Sequence, residues 1–264
     1  KEFFEDLAKR VEQSEKTPGR EVQSIASASA NQWASSGGDY AVNHSTNIYS
    51  EGFLTSLALD FSLLEETELE HSYRDVHRQL YSEHRIPAGY NVADVKQILK
   101  QVSGISYDNW WLQYVNQPVS LDFDKLLEQA GLKTTYGKDS KVEPFAGVTL
   151  KSGSLVLSHV LRNGPAWNAG IVLNDEVVAI NGLKVTAAGF ESRINDFKAG
   201  DTITVTLFSN DRLKDVSLTL GEQQSGKLAI TSVDKPSSSQ KAFFKAWLGV
   251  DWPFDKDGQF KAVK

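Results

Sequence analysis

Apolar residues in the first half of the chain return at three- and four-residue steps, whereas from about residue 145 they return at alternate positions, and this change of period divides the sequence. Phe3, Phe4, Leu7 and Val11 begin an amphipathic helix with no capping residue before it, so the chain reads as a fragment of a longer protein. Phe53, Leu54, Leu57, Ala58, Phe61 and Leu64 predict a helix face, as do Val76 with Leu80 and then Val95, Ile98, Leu99 and Val102, closed by Gly104. Trp110, Trp111, Leu112, Tyr114 and Val115 predict a dense apolar helix. Leu121, Phe123, Leu126 and Leu127 predict one more, ending at Ala130-Gly131. The polar stretch Lys133 to Glu143 reads as a linker. After it come alternating runs with a Ser152-Gly153 turn, a strand over Val177 to Ile180 closed by Asn181-Gly182, and a helix over Gly189 to Phe197. Thr202 to Phe208 and Leu213 to Leu220 predict a hairpin joined through Asn210-Asp211. Phe243, Phe244, Trp247 and Leu248 form a short apolar helix that is expected to dock on a domain, since free aromatic residues at helical spacing are an aggregation liability. The fold class is therefore α+β and multidomain: a helical domain over 1–134, a β-rich domain over 141–221, and a tail over 222–264 with a docking helix.

The composition narrows the chemistry. With 264 residues, 40% hydrophobic and 23% charged, the chain has room for two ordinary cores. A balance of 28 basic against 34 acidic residues, net −6, opposes binding to a polyanion, so no nucleic-acid partner is expected. No apolar run approaches the roughly 20 residues that span a bilayer, so the expectation is a soluble protein. The absence of Cys excludes disulfides, thiolate nucleophiles and Cys-ligated metals. No Gly-x-Ser-x-Gly elbow, phosphate loop or dinucleotide fingerprint occurs. Of the five His residues, His44, His71, His77, His84 and His159, none is paired at a four-residue step. His77 and His84 share a helix face but stand about 10 Å apart along it, too far for one ion. The acidic run Glu65, Glu66, Glu68 and Glu70 lacks calcium-loop spacing. Asn43-His44-Ser45 matches a glycosylation acceptor, a triplet too common by chance to carry weight.

The second half resembles a PDZ domain of the bacterial type. The matching pieces are Phe145-Ala146-Gly147-Val148 for the carboxylate loop, Gly164-Pro165-Ala166 with Ala169-Gly170-Ile171 for a short helix, and Asn174-Asp175-Glu176 through Asn181-Gly182 for a strand and turn. The resemblance implies that an extended peptide adds a strand to a sheet edge. Phe145, Ala146, Gly147 and Val148 would receive its C-terminal carboxylate, and Phe190 and Ile194 would form the facing wall. Gly147 suits such a loop because a side chain would obstruct the backbone. The same apolar residues also suit a plain core, in which case the domain only supports its neighbour.

The first half is similar to the glycyl aminopeptidase family, gluzincin metallopeptidases with a C-terminal PDZ domain. The segments that carry the similarity include Thr17-Pro18-Gly19-Arg20, Val22-Gln23-Ser24, Ala28-Ser29 through Trp33 and Ile48-Tyr49-Ser50-Glu51-Gly52. They continue through Asp75-Val76, Asp94-Val95, Ser103-Gly104 and Tyr114-Val115. The resemblance implies that residues 1–134 are the helical part of a thermolysin-like catalytic domain. It also implies a zinc ion in the full-length enzyme, held by His-Glu-x-x-His and a later Glu. No such motif occurs here, and on the family's segment order it lies upstream of Lys1, so no metal ligand is assigned in this chain. Tyr49 occupies the place of the family's oxyanion donor, in a Tyr-x-Lys-Gly pattern that here carries Glu51 in place of Lys. A competing alignment of Ser50-Glu51-Gly52-Phe53 makes Glu51 the third zinc ligand, but the segment order opposes it because Thr17 to Arg20 precede Tyr49.

The function expected is the C-terminal portion of a zinc-dependent aminopeptidase that removes small N-terminal residues, inert as an isolated piece. Its partners are a peptide or protein substrate and C-terminal peptides at the PDZ groove, and its compartment is the bacterial cytoplasm or periplasm. The alternative is a non-catalytic scaffold that displays a peptide-binding PDZ domain.

Overall fold

In the computed structural model, all residues are described except 35–36, 256–257, 259 and 261–264. The first half is helical. Helix α1 (Glu2–Glu15) leads through a 3₁₀ turn (Pro18–Glu21) to α2 (Ile25–Ala30), α3 (Gly38–His44) and α4 (Ile48–Glu66). The chain continues with α5 (Tyr73–His84), α6 (Val92–Ser103), α7 (Asp108–Trp111) and α8 (Phe123–Glu128). Local chemistry sets the starts. Asn47 and Asp122 accept backbone N–H groups at the heads of α4 and α8, and Ser72 with Asp75 and Asn91 with Asp94 form capping boxes for α5 and α6.

Helix α4 is the spine. Leu54, Leu57, Phe61 and Leu64 enter a core with Phe4, Leu7 and Val11 of α1, while Leu59 and Leu63 enter a second with Val76, Leu80, Val95, Ile98 and Leu99. A helix buried on opposite sides needs apolar residues around most of its circumference, as the run from Phe53 to Leu64 supplies. The expected apolar helix at Trp110 to Val115 differs: α7 gives way to a π turn over Leu112–Asn116, none of those residues is buried, and Trp110 stacks on Tyr114 with ring centroids 4.8 Å apart. Trp110 and Trp111 are half-buried against the second core, so this segment covers that core without entering it.

Strands β1 (Leu132–Tyr136) and β2 (Val142–Phe145) occupy most of the stretch read as a linker, leaving only residues 137–141 between them. Next come β3 (Val148–Leu150), β4 (Leu157–Val160), α9 (Pro165–Asn168), β5 (Glu176–Ile180) and β6 (Leu183–Lys184). The chain goes on through α10 (Phe190–Ile194), β7 (Thr202–Ser209), β8 (Arg212–Thr219), β9 (Gly221–Gln224), β10 (Leu228–Ser232) and α11 (Ser238–Leu248). The hairpin β7–β8 turns at Asn210 and Asp211, both at positive φ, the conformation that a two-residue hairpin turn requires. A sheet in the order β6-β5-β7-β8, the β3–β4 ladder and the short helices enclose a core that includes Leu157, Val177, Ile180, Phe190, Val205 and Leu207. The helix expected over Gly189 to Phe197 is shorter, a 3₁₀ turn (Ala187–Gly189) followed by α10.

The β-rich module is inserted into the helical unit. Strand β1 pairs antiparallel with β10 and β2 with β9, so the chain leaves and returns through two adjacent ladders. The returning segment completes the first core, where Leu228, Ile230, Phe243, Phe244, Trp247 and Phe254 pack with Phe4 and Phe61. Phe61 meets Trp247 edge to face at 4.8 Å. The apolar helix of the tail thus has its dock, and residues 228–254 share a core with residues 4–132.

Candidate functional site

Tyr49 stands in the first turn of α4, where the Asn47 Oδ1 accepts the Tyr49 N–H at 3.0 Å and the Ser50 N–H at 3.1 Å. Its side chain is open to solvent, with 73% of the residue exposed. The residues beneath it are fixed. Ser50 is buried and its Oγ donates to Gln13 Oε1 at 3.3 Å while accepting from Arg10 at 3.4 Å, tying the turn to α1. Gly19, in the Thr17-Pro18-Gly19-Arg20 segment, abuts the backbone just before α4. A Cβ at residue 19 would lie 1.9 Å from the Ser45 carbonyl oxygen, so glycine alone fits.

Glu51 lies in the same helix turn, half-buried. Burial pushes its carboxyl above the ordinary carboxylate range, against the Ser14 hydroxyl, the Arg20 guanidinium and Thr46, which favour the charged form. Arg20 also donates to the Ser14 Oγ at 3.3 Å. The cation beside Glu51 therefore comes from the Thr17 to Arg20 segment. Hydroxyls and a guanidinium are not metal-ligand company, and among the described residues no three His, Cys, Asp or Glu side chains converge in a way that could hold a metal ion. The residues present do not fit a zinc site.

The PDZ-like groove residues separate into two groups. Ala146, Val148, Phe190 and Ile194 line one void with Leu157, Ala166, Val177 and Val205 of the module's core, and its volume is about 10 Å³, space for a single water at most. Ala146, Phe190 and Ile194 belong to the module's core. Phe145 lies elsewhere: it pairs with Gly221 in the β2–β9 ladder and lines an open cleft of about 430 Å³ between the module and the Thr17 to Glu21 segment, together with Pro18, Arg20 and Arg162. Gly147 sits at φ +76°, and a Cβ there would come 3.0 Å from Pro165 Cδ, so glycine is required by the chain's own Pro165 as well as by backbone conformation. Among the described residues β3 has β4 as its only strand partner, leaving its second edge unpaired.

One junction has no counterpart in the sequence pattern. The Asn43 side chain is 1% exposed; its Nδ2 donates to the Val160 carbonyl at 2.8 Å and to Asp39 Oδ1 at 3.1 Å, and its Oδ1 accepts the Arg162 N–H at 2.8 Å. Asp39 Oδ1 accepts the Val160 N–H at 3.0 Å. Two side chains one helical turn apart thus stand in for a strand along the outer edge of β4. The burial also excludes a glycan on the Asn43-His44-Ser45 triplet in this fold. The available signal was the Asp39-x-x-x-Asn43 spacing on a short helix, but a partner 117 residues away leaves no local trace.

Comparison with known proteins agrees with both halves of this picture. Residues 1–55 match the family model of the M61 glycyl aminopeptidases, and residues 132–220 match that of the PDZ domain. Among solved structures, an aminopeptidase N family protein from Idiomarina loihiensis superposes with a TM-score of 0.73 at 22% identity over 94% of this chain and 44% of that one, a likeness of fold. The chain spans less than half the length of that protein. The serine endoprotease from Yersinia pestis (24% identity, 31% of this chain and 30% of that chain, TM-score 0.28) also matches. So does the HtrA3 PDZ domain bound to a phage-derived ligand (14% identity, 33% and 92%, TM-score 0.28).

Proposed function

We propose that this peptidase-related chain, an M61 glycyl aminopeptidase segment joined to a PDZ domain, is the C-terminal portion of a zinc-dependent aminopeptidase that releases small N-terminal residues such as glycine. The observation that carries the reading is Tyr49: an exposed phenol on a turn immobilised by Asn47, Ser50 and the backbone around Gly19. A donor that stabilises the oxyanion of a tetrahedral intermediate has to be held in place before the charge develops, because reorganisation during the reaction cancels the gain. In this reading Tyr49 is such a donor, its hydroxyl offering one O–H to the developing charge. Any zinc that such chemistry uses would be held by residues of the full-length protein outside this chain, and the chain alone would be inactive.

The PDZ module's role is to bind a C-terminal peptide along the unpaired edge of β3, or to support the helical unit. Binding needs side-chain space beside β3 beyond the void of about 10 Å³ that Val148, Phe190 and Ile194 line together with core residues. A non-catalytic adaptor is the alternative that experiment separates. In the full-length enzyme, Tyr49→Phe is expected to lower kcat by about a hundredfold or more with little change in KM, the signature of an interaction made only in the transition state. An unchanged kcat, measured by steady-state hydrolysis of a glycyl substrate, removes Tyr49 from the mechanism.

A further inference from the structure

The junction between α3 and β4 does more than hold the helical unit to the module. Helix α3 has only seven residues, below the length at which an isolated helix persists in water, so tertiary contacts must hold it. On one side its Asp39 and Asn43 take the two backbone groups of Val160 and the N–H of Arg162. On the other the chain is held continuously to Tyr49. The Ser45 backbone is wedged against Gly19, the Thr46 N–H donates to Gln23 Oε1 at 3.3 Å, and Asn47 caps the turn that carries Tyr49. The path from Asn43 to Tyr49 is short, and these contacts fix its links.

We infer that the PDZ module acts as a positioning element for Tyr49, with Asn43 and Asp39 as the positioning residues. This assignment rests on the catalytic reading of Tyr49 for its purpose, but the mechanical link stands on the hydrogen bonds alone. The module's β4 edge is the template on which α3 is laid, and α3 in turn sets where the head of α4 begins. Losing the Asn43 carboxamide leaves the Val160 carbonyl and the Arg162 N–H without their partners, opens the β4 edge and frees the segment leading to Asn47.

The test uses the 264-residue chain with its backbone amides and tyrosine rings isotopically labelled. In Asn43→Ala, hydrogen exchange at Val160 and Arg162 is expected to accelerate about tenfold or more, and the Tyr49 ring signals to shift or broaden. Leu99→Ala, in the separate cluster around α5 and α6, destabilises the fold without touching the junction and is expected to leave both readouts in place. Asp39→Asn, which keeps an acceptor for the Val160 N–H, is expected to retain most of the protection. Should Asn43→Ala fail to fold, Asp39→Ala gives the same comparison with fewer bonds removed. Unchanged exchange at Val160 and Arg162, or a Tyr49 signal that does not move once they are exposed, overturns the inference. A Tyr49 that follows the junction while Tyr49→Phe retains full kcat supports the mechanical link and removes the catalytic reading.

Discussion

A carboxylate shut beneath a capped helix turn is costly in its charged form, and at Glu51 the Ser14 hydroxyl, the Arg20 guanidinium and Thr46 offset only a fraction of that cost. Its folded-state pKa lies above its unfolded value. The stability associated with it is therefore complete below the ordinary carboxylate range and is lost as pH rises through the raised value. Glu51→Gln removes the ionisation, so the urea midpoint of the variant is expected above that of the parent at neutral pH, the two converging as pH falls into the ordinary carboxylate range. Equal midpoints at neutral pH would show that Arg20 already balances the charge. Asp75 works in the opposite sense. The Ser72 N–H and then Arg78 hold its pKa low, so its share of stability is present at neutral pH and is lost as pH falls through the depressed value. Tyr49 and Glu51 were legible as a pair in the sequence because they lie in one short segment. Arg20 as the cation beside Glu51 was not, since the two come together only when the 3₁₀ turn folds back on α4.

The unpaired edge of β3 decides whether the module grips peptides. A peptide ending in a free carboxylate, titrated into the labelled chain, is expected to bind weakly and to shift Gly147, Val148 and Ile194, with an amidated peptide binding less well. Weak affinity follows because a short added strand loses its own conformational freedom on binding. Shifts confined to residues away from the β3 edge leave the module as a support only. At this scale the sequence was most readable where local spacing sets the element: α4, α5 and α6 follow from apolar residues at three- and four-residue steps, and the hairpin β7–β8 from alternation and from Asn210-Asp211. Strand β9 was illegible because Gly-Glu-Gln-Gln has no apolar alternation, and it is a strand only because β2 lies beside it. Lys133 to Glu143 misled for the same reason, since the polarity of β1 and β2 reflects two-stranded ladders with open faces.

The whole molecule depends on its last forty or so residues. Because Leu228, Ile230, Phe243, Phe244, Trp247 and Phe254 complete the core begun by Phe4, a chain ending at Ser225 is expected to lose the cooperative melting of its helices by circular dichroism. The module's own signals should persist, since its core holds no residue beyond Leu220. Helices that melt at the parent temperature would show that the tail is dispensable. The inserted architecture was only half visible in the sequence: the tail's aromatic spacing predicted docking, but the sharing of one core by residues 4 and 254 is a matter of topology. That topology also sets an order of events during synthesis. On a ribosome adding roughly 5–20 residues per second, the module is complete at Gln224 a few seconds before Phe254 emerges. The unit begun first is therefore finished last. In that interval Phe61 waits for Phe243 and Trp247, while the newly folded β4 edge already offers α3 its landing place.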